Sequence, residues 1–68
     1  MKTILIGTVT KLEGSLAVIG NMACVNRGNV RRVSWKVETA ANVGQRLYVE
    51  GSFKHRVCRS PDLVIILA

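Results

Sequence analysis

The stretch VGQRLYVEGSFKHRV, residues 43–57, decides how this chain is read. Asn42, Val43 and Gly44 form a loop signal, and Leu47, Tyr48 and Val49 form the apolar strand that follows it. Gly51 stands where a strand bends or bulges. Phe53 comes next, then the basic cluster Lys54, His55 and Arg56, with Arg59 close behind. The stretch predicts a hinged strand, 45–50 continued by 52–57, whose far end is aromatic and basic. Such an end suits a polyanion that carries flat bases. It equally suits an ordinary strand with a solvated basic tip.

Working outward, residues 3–10, TILIGTVT, read as a first strand bent at Gly7. Residues 11–15 are a turn. A second short strand, 16–19, is either closed or bulged at Gly20-Asn21, and the apolar piece 22–25 is the same strand resumed if a bulge stands there. Asn26-Arg27-Gly28-Asn29 is a turn rich in residues that accept positive φ, and predicts a hairpin. Residues 30–38, VRRVSWKVE, alternate: Arg31, Val33, Trp35 and Val37 share one face, and Arg32, Ser34, Lys36 and Glu38 share the other. Residues 39–43 read as a single helical turn or a loop piece. Pro61 punctuates a turn before LVIIL, residues 63–67, a last strand apolar on both faces and expected to be covered on both.

Five strands and no long helix require closure to hide their edges. The expected fold is all-β, a small five-stranded Greek-key barrel of OB type spanning residues 1–68 as one domain. An SH3-like barrel is the structural competitor.

A 68-residue chain lies near the low end for independent stability and tends to lean on a staple or a partner subunit. A homodimer or homotetramer is therefore expected. A hydrophobic fraction of 49% and a mean hydropathy of +0.27 argue against disorder. Ten Lys and Arg against four acids give a net charge of +6. No acid falls between Glu13 and Glu38, whereas Arg27, Arg31, Arg32 and Lys36 do. That balance points to nucleic acid or another anionic surface.

Catalysis has no visible constellation. The four acids are scattered, no glycine-rich phosphate loop is present, and Cys24 sits in an apolar run where a thiol is inert. The two cysteines show no zinc spacing, and reduced thiols in a cytoplasmic protein are the simpler reading. The single histidine, His55, sits between Lys54 and Arg56 and reads as a surface or phosphate-contact residue. No enzyme activity, metal or cofactor is expected. No targeting segment is evident, and the apolar run from 63 to 68 is far too short for a membrane span.

The phrase GQRLYVEGSFKHR, residues 44–56, resembles the fourth-strand phrase of bacterial single-stranded DNA-binding proteins and their primosomal relatives. Ile4-Leu5-Ile6-Gly7 is similar to the family's first strand, and Val33-Ser34-Trp35-Lys36-Val37 is similar to its third, where a tryptophan stacks a base. The likeness covers about half the chain. The segment from Gly7 to Trp35 is shorter than the family's, so the DNA-wrapping hairpin is expected to shrink to the Arg27-Gly28-Asn29 tip. Val37 replaces a basic residue, and Cys58 stands where a second stacking aromatic falls. A minimal phage- or plasmid-type version fits these differences.

The resemblance implies binding of single-stranded DNA with little sequence preference, in replication or recombination. Trp35, Phe53 and Tyr48 are the candidate stacking residues. Arg27, Arg31, Arg32, Lys36, Lys54, Arg56 and Arg59 are the candidate phosphate contacts. Alternation puts Trp35 in the core with Val33 and Val37, whereas the resemblance puts it in the groove. Two alternatives stand beside this reading. One is an RNA-binding barrel of the S1 or initiation-factor-one type, which Gly7-Thr8-Val9 and residues 44–50 also fit. The other is a structural, oligomeric barrel with no nucleic-acid ligand.

Overall fold

The computed structural model describes the backbone of residues 2–26 and 29–67 and the side chains of residues 2–20 and 33–67. The protein is all-β: six strands form one sheet curled into a half-barrel. The strands are β1 (Thr3–Glu13), β2 (Leu16–Asn26), β3 (Asn29–Glu38), β4 (Arg46–Gly51), β5 (Val57–Cys58) and β6 (Leu63–Leu67). Their order across the sheet is β5-β3-β2-β1-β4-β6.

β1 serves two neighbours in succession. Its first half pairs antiparallel with β4, from Thr3 opposite Gly51 to Thr8 opposite Arg46. Its second half pairs with β2, after a register shift between Val9 and Lys11. The handover curls the sheet and gathers Leu5, Val9, Ala17, Ile19, Val37, Leu47 and Val49 on its inner side as the buried core. In β4 the alternation is plain: Leu47 and Val49 are buried, and Tyr48 and Glu50 point the other way.

Gly7 makes the curl possible. A Cβ there would fall on the Cγ2 methyl of Ile19, which is fully buried and cannot yield. Gly7→Ala is therefore expected to destabilise the fold by about 1–3 kcal/mol, the usual range for overpacking. Ile19→Leu, which removes that methyl branch, should recover part of the loss. Urea unfolding of both single variants and the double variant checks this; strictly additive losses would refute the contact.

Of the helical turn or loop expected over residues 39–43, the structure shows the loop, a bend leading to a turn at Val43-Gly44. Two expectations need correction. The hinged strand 45–57 does not run through, because β4 ends at Gly51 and a tight reversal at Lys54–Val57 starts the separate short strand β5. That makes six strands where five were expected. Last, β6 is not covered on both sides: among the described residues it ends the sheet, bonded to β4 alone, with Leu63, Ile65 and Ile66 exposed. Of the two readings of Gly20-Asn21, the bulge is present, as a register shift between Ile19 and Met22.

β2 and β3 continue beyond the Val9–Ile19 pair, where β1 leaves β2 for β4. From Met22 opposite Val33 to Asn26 opposite Asn29 they pair, among the described residues, only with each other. The hairpin is thus a two-stranded arm, longer than the short tip expected from the sequence.

Candidate nucleic-acid interface

The basic end of the central stretch is built on a two-residue reversal. The Lys54 N–H donates to the Val57 carbonyl at 2.9 Å, and the Val57 N–H donates to the Lys54 carbonyl at 3.0 Å. His55 and Arg56 occupy the two tip positions with φ of 53° and 60°. Two successive left-handed residues define a primed turn, which ordinarily carries Asn-Gly. Side chains at both positions store strain. The strain is held in place from outside, because the Lys36 N–H donates to the Arg56 carbonyl at 2.8 Å and β5 runs parallel to β3 there.

This geometry carries a prediction. Arg56→Gly relieves the left-handed strain and should raise stability by about 1 kcal/mol, while removing one exposed cation from the tip. A thermal midpoint that fell instead would show that the Arg56 side chain supports the fold.

Ser52, Lys54, His55, Val57 and Arg59 line an open concavity of about 440 Å³ beside the turn. Among the described residues, Lys54, His55 and Arg56 make no salt bridge with an acid. Three of the four acids are engaged elsewhere. Glu13 accepts from Lys36 at 3.0 Å and pairs with Lys11 at 3.4 Å. Glu38 pairs with Arg59 at 3.4 Å and accepts from the Ser15 hydroxyl at 3.1 Å. Glu50 pairs with Lys2 at 3.5 Å and accepts from the Tyr48 hydroxyl at 2.5 Å. A second concavity, of about 320 Å³, is lined by Leu12, Gly14, Ser15, Leu16, Thr39, Ala40 and Ala41 with Glu38. Its lining has an acid and, among the described residues, no cation, which suits a phosphate poorly.

Lys36 is therefore committed to an ion pair on the outer face of β3, and Arg59 divides itself between Glu38 and the concavity. Hydrogen bonds from Lys36 and then Lys11 hold the Glu13 carboxyl below its ordinary value. The stability that a depressed carboxyl contributes is complete above the ordinary carboxylate range and is lost as pH falls through its lowered value. Thermal midpoints should accordingly drop on acidification, and Lys36→Met should flatten that drop. An unchanged acid limb in the variant would show that the pair contributes nothing.

Of the three aromatic candidates, the fold brings two together. Trp35 and Phe53 are half-buried against the core and meet edge to face, centroids 5.3 Å apart at 81°. Among the described residues, the Trp35 indole N–H is buried without a hydrogen-bond partner. Tyr48 lies apart from them, on the outer face of β4 between Ile6 of β1 and Ile65 of β6. Its hydrogen bond to Glu50 raises the phenol above its ordinary value and lowers the carboxyl.

Arg27 lies outside the described residues, as do the side chains of Arg31 and Arg32. The backbone sets Arg31 opposite Cys24 and Arg32 opposite Ala23, both on the two-stranded arm. Two lining residues, Ser52 and Val57, are not among the site candidates, whereas His55 reads in the sequence as a surface or phosphate-contact residue. The only signal for Ser52 and Val57 in the sequence is their place on either side of the run Phe53–Arg56.

Among the described residues, no group of three or more His, Cys, Asp or Glu side chains is arranged to hold a metal ion. No helix among them is long and apolar enough to cross a membrane. Comparison of the chain with protein-family models, curated proteins and solved structures yields no match.

Proposed function

We propose that this chain is a small OB-type barrel that binds single-stranded nucleic acid with little sequence preference, DNA over RNA, in replication or recombination. One juxtaposition carries the reading. The cations at Lys54 and Arg56, without acidic partners among the described residues, directly follow Phe53. The Arg56 carbonyl is bonded to the strand that bears Trp35, and Trp35 touches Phe53. A phosphate track and an aromatic platform thus adjoin. Phosphates settle on the turn and in the concavity with Ser52, His55 and Arg59, and bases meet the accessible parts of Phe53 and Trp35. Base–aromatic stacking is worth about 1–3 kcal/mol per base and is tolerant of sequence. Arg27, Arg31 and Arg32 are further candidate phosphate contacts by sequence.

The barrel assignment is supported by the strand order β3-β2-β1-β4, in which three consecutive strands pair as a meander and the fourth returns beside the first. In this reading β5 and β6 together take the place of a single fifth strand. Preference for DNA rests on the resemblance carried by residues 44–56.

The exposed apolar side chains of β1 and β6 favour a second reading, a structural oligomeric barrel with no nucleic-acid ligand. Competition separates the readings. A labelled thymidine oligomer bound to the protein is challenged, by fluorescence anisotropy, with unlabelled single-stranded DNA, matched RNA and duplex. DNA is expected to displace the label best and duplex worst. RNA as the best competitor would transfer the function to RNA, and failure of the label to bind at low salt would leave the structural barrel.

A further inference from the structure

β6 has none of the features by which edge strands avoid pairing. It carries no charge and no proline, and its register with β4 is regular over all five residues. Leu63, Ile65 and Ile66 remain 43%, 44% and 54% exposed. The apolar surface continues inward across the sheet. Leu63 and Ile65 lie beside Glu50 and Tyr48 of β4, and these lie beside Ile4 and Ile6 of β1, both exposed. The outer edge of β6 presents backbone N–H and C=O groups with no strand beyond them among the described residues, and such a row pairs with another extended strand.

Charge selects which strand. The chain carries +6, so two copies repel over most orientations. On this face Glu50 holds Lys2 at 3.5 Å and accepts the Tyr48 hydroxyl, exposed Arg46 lies opposite Leu67 at one end, and β6 itself is neutral. An acidic partner would be drawn to the Lys54–Arg59 end instead. A second copy of the chain meets an uncharged, apolar edge here.

We propose that β6 pairs antiparallel with β6 of a second copy, about a two-fold axis at Ile65. In that register Leu63 faces the partner's Leu67 and Val64 faces the partner's Ile66, so every cross-strand pair is apolar. The sheet then runs continuously through both chains, and the edge disappears. This extends the expected homo-oligomer to a named strand, and it stands independently of the nucleic-acid reading.

The test is sedimentation of the full chain at about 100 µM, well above the dissociation constant of an ordinary specific interface, beside Ile65→Lys. The wild type is expected as a dimer. The variant should dimerise on the order of 100-fold more weakly, because the two-fold axis sets like charges against each other. Ile65 is exposed, so circular dichroism should show the variant folded; if it is not, Ile65→Thr replaces it, with at least about a tenfold weakening expected. A monomeric wild type, or a dimer that Ile65 substitution leaves intact, would overturn the proposal. Oligonucleotide binding by the monomeric variant, measured alongside, keeps this outcome separate from the functional reading.

Discussion

Replacing Lys54 and Arg56 together by glutamate is expected to weaken single-stranded DNA binding on the order of 100-fold at low salt. Both cations sit at or beside the tip of the primed turn, exposed, and neither has an acid in salt-bridge range among the described residues. Their charge is thus available to a ligand, unlike that of Lys36, which Glu13 engages. Each phosphate released should remove about 0.7 from the slope of log affinity against log salt, so the pair should flatten it by about 1.4. Neither residue is buried, and the turn itself is held by backbone bonds, so the thermal midpoint should move little. Anisotropy titrations across a salt series measure both affinity and slope. A double variant with unchanged affinity would remove the turn from the interface, and equal losses from Lys11 and Lys36 substitutions would show non-specific attraction by net charge.

The second large effect falls on stability. Trp35→Ala is expected to destabilise the protein by about 3–5 kcal/mol, the range for emptying an aromatic site against a core. A 68-residue domain has a total stability of about 3–10 kcal/mol on a per-residue scale, so the variant should be partly or largely unfolded at room temperature. The reason is packing: Trp35 lies opposite Ile19 across the β2–β3 pair, rests on the core cluster and meets the Phe53 ring. Trp35→Phe should be far milder. It retains an aromatic contact and deletes an indole N–H that is buried without a partner among the described residues, a group whose burial costs about 1–3 kcal/mol. Denaturant unfolding of the two variants decides the point. If Trp35→Ala proved neutral for folding, the side chain would belong to the ligand surface alone.

Much of the strand framework is legible in the sequence because alternation reports which face meets the core. Leu47 and Val49 against Tyr48 and Glu50, and Val37 against Lys36, read correctly from parity alone. The Gly20-Asn21 bulge follows from turn chemistry inside an apolar run. The reversal at Lys54–Val57 was not legible, since His55-Arg56 lacks the Asn or Gly that marks a primed turn; the bond from Lys36 imposes it from a distant strand. The partners of Lys36 and Arg59 were hidden for the same reason. Glu13 is 23 residues from Lys36, and Glu38 is 21 from Arg59, so only the sheet register brings them together. An apolar pentapeptide such as β6 reads as a covered strand, yet within one chain, among the described residues, the sheet order supplies it with a single neighbour. Trp35 takes the core-facing place that alternation gives it, and its burial is incomplete.

The central claim is that the basic turn and the Trp35–Phe53 pair form one single-strand-binding surface. Trp35 is the only tryptophan, so its fluorescence reports on that surface from a single known position. The decisive measurement is a titration of this emission with a polythymidine oligomer at two salt concentrations, with duplex as control. Saturable quenching by the single strand, weakening with salt and faint with duplex, is the predicted result. Absence of binding at low salt would contradict it.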